Sequence, residues 1–202
     1  AAELPFPVLY QDRDLIAVDK PAGLLSMGNE KERTRTAYRM VSDYVKAREP
    51  GGRIFIVHRL DRDTSGVLVF AKNERMKRAL QDHWEALVQK RGYVAAVEGD
   101  LPEPEGTVRS YLRETATHLV YSGPRGKEGR EAVTHYRVLA RGKGFSLVEV
   151  TIDTGRKNQI RVHMQDLGCP VAGDRQYGAQ SDPMGRLALH AHVLRFTDPR
   201  SK

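Results

Sequence analysis

Seven short runs rich in Val, Ile, Leu and Tyr set the character of this chain, at residues 15–18, 54–57, 67–70, 93–97, 133–139, 147–152 and 187–196. Runs this short, bounded by Gly, Pro, Asn and Asp, read as β-strands. Three segments have helical period instead. Ala37, Met40, Val41, Tyr44 and Val45 form one apolar stripe, stopped by Pro50-Gly51-Gly52. Met76, Ala79, Leu80, Trp84, Leu87 and Val88 form a second, with Asn73 as its cap and Gly92 as its stop. That stripe places Trp84 in the core. Ile160, His163, Met164 and Leu167 form a third, ended by Gly168. Strands with helices inserted among them predict an α+β fold on a mixed sheet. Arg141-Gly142-Lys143-Gly144 reads as a hairpin loop, and residues 101–106 and 123–129 as surface loops.

A chain of 202 residues makes one domain, or two lobes sharing a core, and we read residues 1–202 as a single domain. A net charge of +7 favours a polyanionic partner by Coulomb attraction, although a merely soluble basic protein has the same balance. Cys169 is the only cysteine, which excludes an internal disulfide and a Cys-rich zinc site. A single thiol suits a reducing cytosol. No run approaches the roughly 18 apolar residues of a membrane span, and no basic region followed by an apolar core opens the chain. The expectation is a soluble, cytoplasmic protein with no metal. Nucleophile-elbow, His-Glu-x-x-His and phosphate-binding glycine patterns are missing.

Two polar clusters carry the chemistry. His58-Arg59-Leu60-Asp61 runs into Arg62-Asp63-Thr64-Ser65-Gly66, between the apolar runs 54–57 and 67–70. An ion left unpaired at a partly dry strand end costs several kcal/mol, on the order of the penalty for buried charge. Either Asp61 is compensated by cations or it sits at a cleft mouth and does chemistry. The plainer reading is a turn between strands with Asp61 as its cap. The second cluster, Gly155-Arg156-Lys157-Asn158-Gln159-Ile160-Arg161, opens the third helical segment and puts three cations in its first turns. Lys157 and Arg161 then share a face. Cations there oppose the helix dipole, which points to an anionic partner; a solvated basic face is the alternative.

The literal residues extend this reading. His-Arg-Leu-Asp-x-x-Thr-Ser-Gly resembles the signature of the RluA-type RNA pseudouridine synthases. Four further stretches are similar to that family in the same order. They are Asp19-Lys20-Pro21-Ala22-Gly23-Leu24, Lys90-Arg91-Gly92-Tyr93-Val94-Ala95-Ala96-Val97-Glu98-Gly99, Gly155-Arg156-Lys157-Asn158-Gln159-Ile160-Arg161-Val162-His163, and Leu189-His190-Ala191. The resemblance runs from about residue 8 to 196. It implies the pseudouridine synthase fold, a largely antiparallel mixed sheet with helices packed on it and a central RNA-binding cleft. It implies an isomerase that converts uridines of ribosomal or transfer RNA, with no redox cofactor or ATP. Asp61 would be the nucleophile, Tyr93 would lie against the uracil, and Arg161 would pair with Asp61 and keep it ionised. Arg59 would fill the place of the flipped base. Arg62, Arg156 and Lys157 are phosphate candidates, and His58, Leu60, Thr64, Asn158 and Gln159 are supporting residues. Lys20-Pro21-Ala22-Gly23 reads as structural, with Pro21 and Gly23 fixing a turn.

Asn158 departs from the family, which usually has a His there; Asn cannot ionise, so no titrating role is expected at this position. The motifs begin almost at once, so no N-terminal S4 domain is expected. The chain stops at Lys202, where the family usually continues with another strand, and a truncated C-terminal strand is one reading of that. A monomer is expected. The competing readings are a non-catalytic RNA-binding module on the same scaffold and a hydrolase using Asp61 and Asp63. A glycosidase needs two carboxylates roughly 5–10 Å apart with one raised pKa.

Overall fold

A computed structural model describes residues 2–201. Two compact units divide the chain: one runs to Gln89 and resumes at Val193, the other is Lys90–His192. The strand pairings within each are antiparallel.

The first unit is built on β1 (Val8–Gln11), β2 (Leu15–Lys20), β3 (Phe55–Ile56) and β4 (Ser65–Ala71), in the order β1-β2-β4 with β3 also paired to β4. β2 and β4 are buried on both faces, which is why they read as continuous apolar runs. On one face Leu15, Ala17, Val69 and Ala71 pack with Met76 and Leu80 of α2 (Glu74–Asp82). On the other lies α1 (Ala37–Arg48), whose Tyr38 ring sits 6.4 Å from Phe70. Thr36 caps α1 by accepting from the Arg39 N–H, and Asn73 caps α2 by accepting from the Met76 N–H. Each cap satisfies an orphan donor and stabilises by about 1 kcal/mol.

The second helical stripe ends earlier than expected. α2 stops at Asp82, a single turn α3 (Trp84–Leu87) follows, and β5 (Val88–Glu98) begins at once. The Thr197 N–H takes the Leu87 carbonyl and Gln89 Nε2 donates to Thr197 Oγ1, so extended pairing overrides the helical pattern. Trp84 is half-buried at the edge of the core rather than inside it.

The second unit orders its strands β5-β9-β8-β6-β7, with β6 (Glu105–Glu114), β7 (Val120–Gly123), β8 (Arg130–Gly142) and β9 (Phe145–Ile152). β10 (Leu189–Phe196) ends the strand set and crosses from this unit back to the first. The β8–β9 loop narrows to Lys143-Gly144 between the paired Gly142 and Phe145. Both turn residues have positive φ, +55° and +80°, which matches the twist of the strands they join. The segments read as loops at 101–106 and 123–129 each lend residues to a strand: β6 starts at Glu105 and β7 ends at Gly123. α4 (Gln159–Asp166) packs Ile160 and Met164 against Ala95, Val97, Val148 and Val150, and Val162 against Leu112, Val120 and Ala132. Burying each large apolar side chain stabilises by about 1.5–3 kcal/mol. No helix among the described residues is long and apolar enough to cross a membrane.

Candidate active site

Asp61 lies in an irregular stretch, residues 57–64, between β3 and β4, and is half-buried. Both of its chain neighbours are pinned. Ser26 Oγ donates to the Leu60 carbonyl at 2.6 Å and accepts from the Leu60 N–H at 3.0 Å. The Arg62 carbonyl accepts from the Gly23 N–H at 2.8 Å and from Lys20 Nζ at 2.9 Å. Lys20 is fully buried, and its ammonium also donates to the carbonyls of Pro21 and Leu24 at 2.9 and 2.6 Å. Three carbonyl acceptors compensate a charge that would otherwise be costly to bury. The Lys20-Pro21-Ala22-Gly23 stretch is therefore the clamp on the Asp61 loop. Expecting only a turn at Pro21 and Gly23 missed Lys20 and Ser26. A lysine ending a buried apolar strand was the available signal.

The other residues of the loop serve its shape. His58 Nε2 accepts from the Val69 N–H at 2.9 Å, and its ring stacks on Trp84 at 5.1 Å between centroids. Leu60 and Thr64 are buried, and the Thr64 N–H closes a turn onto the Asp61 carbonyl at 3.2 Å. Arg59 and Arg62 are exposed; Arg59 Nη1 lies 3.9 Å from Met27 Sδ, and Arg62 Nε lies 3.4 Å from Asp63.

In the second unit Tyr93 pairs with Val150 and is half-buried against the core, on the same face of β5 as Ala95 and Val97. The basic cluster differs from expectation. α4 begins at Gln159, so Arg156 and Lys157 precede it and only Arg161 stands in its first turn. Lys157 and Arg161 therefore do not share a helix face. Lys157 Nζ donates to Glu114 at 2.8 Å, which holds that carboxyl below its usual range, with a smaller effect from His118. Arg156 Nε donates to the Glu131 carbonyl at 2.9 Å.

Asn158 precedes α4 in the left-handed conformation, φ +56°, which Asn tolerates better than most residues. Gln159 anchors the helix start. Its amide donates to the Val133 carbonyl and to Thr134 Oγ1, and its oxygen accepts from Thr154 Oγ1 and the Arg156 N–H. One turn on, His163 is fully buried between Thr134 Oγ1 (2.7 Å) and Ser110 Oγ (2.9 Å), and burial lowers its pKa.

Arg161 makes the most elaborate contacts of the cluster. Its Nε and Nη2 donate to the two carboxylate oxygens of Asp174 at 2.9 and 2.8 Å. Nη2 also donates to Gln176 Oε1 at 3.0 Å and Nη1 to Asn158 Oδ1 at 3.2 Å. The side chain of Asp174 is 1% exposed and that of Arg161 12%. Sequence reasoning missed Asp174 and Gln176, which lie between the last two motifs that carried the resemblance. No group of three His, Cys, Asp or Glu side chains among the described residues could hold a metal ion.

The sequence pattern of the RNA pseudouridylate synthase family matches residues 14–166. The chain is 34% identical over 215 residues to tRNA pseudouridine synthase C of Haemophilus ducreyi, covering 96% of this chain and 86% of that protein. It is 37% identical over 216 residues to ribosomal large subunit pseudouridine synthase D of Xanthomonas campestris, covering 98% of this chain. It spans 64% of that relative's length. Among solved structures, human RNA pseudouridylate synthase domain containing 1 superimposes with a TM-score of 0.78 at 28% identity, covering 96% of this chain and 79% of that one.

Proposed function

This chain belongs to the RNA pseudouridylate synthase family, and from that premise we propose that it isomerises selected uridines of ribosomal or transfer RNA to pseudouridine, with Asp61 as the nucleophile. The observation that carries the reading is the double pinning of the Asp61 loop. A nucleophile reacts fastest when its approach is set beforehand, and here Leu60 and Arg62 are both tied to residues 20–26.

The reaction breaks the bond between uracil N1 and ribose C1′ and forms one between uracil C5 and the same carbon. C5 gives up its hydrogen and N1 regains a proton, so atoms balance without redox chemistry or ATP. Asp61 acts at the sugar or adds to the uracil ring. In this reading Tyr93 lies against the ring, and Arg161 is the cation that serves the nucleophile. Arg59 takes the space of the flipped base, whose unstacking costs a few kcal/mol. Arg62, Arg156 and Lys157 contact phosphates, Lys157 by exchanging Glu114 for the RNA. The two units act as one catalytic domain, as a monomer in the cytoplasm.

Tritium release from RNA labelled at uridine C5 tests this. Wild type should release tritium from unmodified ribosomal or bulk transfer RNA. Asp61→Ala, folded by circular dichroism, should fall by on the order of 10³-fold or more. Equal release by both proteins removes Asp61 as nucleophile. RNA binding without release by wild type favours the non-catalytic module.

A further inference from the structure

We propose that the turn Gly173-Asp174-Arg175-Gln176-Tyr177-Gly178 is a cradle built for the Arg161 guanidinium, with Asp174 as the positioning residue of the reaction. The inference rests on the synthase reading above. The turn surrounds Arg161 on three sides. Asp174 takes one edge of the guanidinium in a bidentate pair, and Gln176 takes a further Nη2 hydrogen. The Tyr177 ring lies under the group, its centroid 5.0 Å from Cζ. Tyr177 is itself buried and fixed by its hydroxyl, which donates to the Val120 carbonyl at 2.9 Å.

The backbone is shaped for this. Residues 175–177 make one 3-10 turn, and the N–H groups of Tyr177 and Ala179 both return to the Asp174 carbonyl. Gly173 has φ +81°, and a Cβ there would meet the Arg186 carbonyl oxygen at 2.3 Å, so no other residue fits.

Stability does not explain the arrangement. Desolvating both members of so buried a pair largely offsets their attraction, and apolar residues in their place are often no worse. What the bidentate fork does supply is direction: a guanidinium held along one edge has its plane and its other nitrogen fixed. Asp174 therefore acts through Arg161, and its loss should slow the chemical step while leaving RNA capture intact.

The experiment is single-turnover conversion of a labelled RNA at saturating enzyme, with RNA affinity measured separately. Asp174→Asn is placed in the wild-type and Arg161→Lys backgrounds, and all four proteins are assayed well below their melting temperatures. In wild type, Asp174→Asn should slow conversion by roughly 100-fold, the scale of a misplaced catalytic group, with RNA affinity changed less than about twofold. In Arg161→Lys the same change should cost under about threefold, because the geometry it protects is already gone. A purely structural role predicts the same loss in both backgrounds and overturns the cradle alone. An unchanged rate in Asp174→Asn overturns it as well. A wild type that converts no uridine overturns the synthase reading and the catalytic role of the cradle together.

Discussion

The ammonium of Lys20 reaches across the first unit to the carbonyl of Arg62, 42 residues along the chain, at 2.9 Å. That contact joins the end of β2 to the residue following Asp61. The Gly23 N–H shares the same carbonyl, and Ser26 holds Leu60 on the other side. The loop bearing the proposed nucleophile is thus a tertiary construction, shaped by a segment far away in sequence.

Lys20→Met should therefore damage more than stability. Methionine fills a similar volume but takes the ammonium from the carbonyls of Pro21 and Leu24 and leaves that of Arg62 with the Gly23 N–H alone, at a cost of about 2 kcal/mol. Urea unfolding should show that loss. Pseudouridine formation by the protein that remains folded should fall more than 10-fold, on the order expected of a misplaced reacting group. A variant as stable and as active as wild type would remove Lys20 from this role.

His163 should make the fold sensitive to mild acid. Burial holds its folded pKa below 6.5, so the folded ring is neutral while the unfolded ring takes up a proton as pH falls below that value. The native state then binds fewer protons than the unfolded one. Its contribution is fully present above pH 6.5 and declines below it, by at most about 1.4 kcal/mol per pH unit. Urea midpoints at pH 7.5 and 5.5 should show the decline in wild type, and His163→Gln should flatten it. Equal slopes would contradict the assignment.

A second, more acidic window belongs to the cluster around Arg200, which donates to Asp12, Asp14 and Asp198. Burial opposes ionisation of Asp12, but the N–H groups of Asp14 and Leu15, the Tyr10 hydroxyl and Arg200 outweigh it and bring its pKa to about 2. Asp14 and Asp198 are lowered too, Asp14 chiefly by Asn73 and Asp198 by Arg200. Depressed carboxyl pKa values stabilise fully above the unfolded value near 3.9, and the benefit is lost as pH falls from there towards 2. Arg200→Gln should lower stability only slightly at pH 7, since the group is exposed and screened. The difference from wild type should shrink between pH 4 and 2. A difference that held constant through that window would show the cluster to be inert.

Cys169 should be a poor thiol. Its pKa is raised, mainly by burial, and its Sγ lies 3.3 Å from the Asp100 carbonyl. Reaction with an aromatic disulfide reagent should be slow in buffer and fast in denaturant. Rapid labelling of the native protein would mean that the pocket around it opens freely.

Much of the fold was legible because burial writes itself into sequence. β2 and β4 showed as apolar runs since both of their faces are covered, and the cap at Asn73 stands beside the stripe it begins. β6 escaped notice because Gly106 and Ser110 leave only Val108 and Leu112 as apolar residues on its inner face, while Thr107, Arg109, Tyr111 and Arg113 occupy the other. The second stripe misled at its end, where β5 takes Val88 into extended backbone. Arg156 and Lys157 were assigned to a helix whose first residue is Gln159, since the left-handed turn at Asn158 leaves no periodic signal.

The sequence by itself determined the family, the polar loop between two apolar runs, and the identity of Asp61, Tyr93 and Arg161 as candidates. These are local strings, and chemistry that needs particular side chains preserves them as strings. Only the tertiary structure decided what holds those residues. Lys20 clamps the Asp61 loop and Asp174 grips Arg161 because folding brings distant backbone carbonyls and carboxylates within hydrogen-bond reach, and no spacing in the chain encodes that proximity.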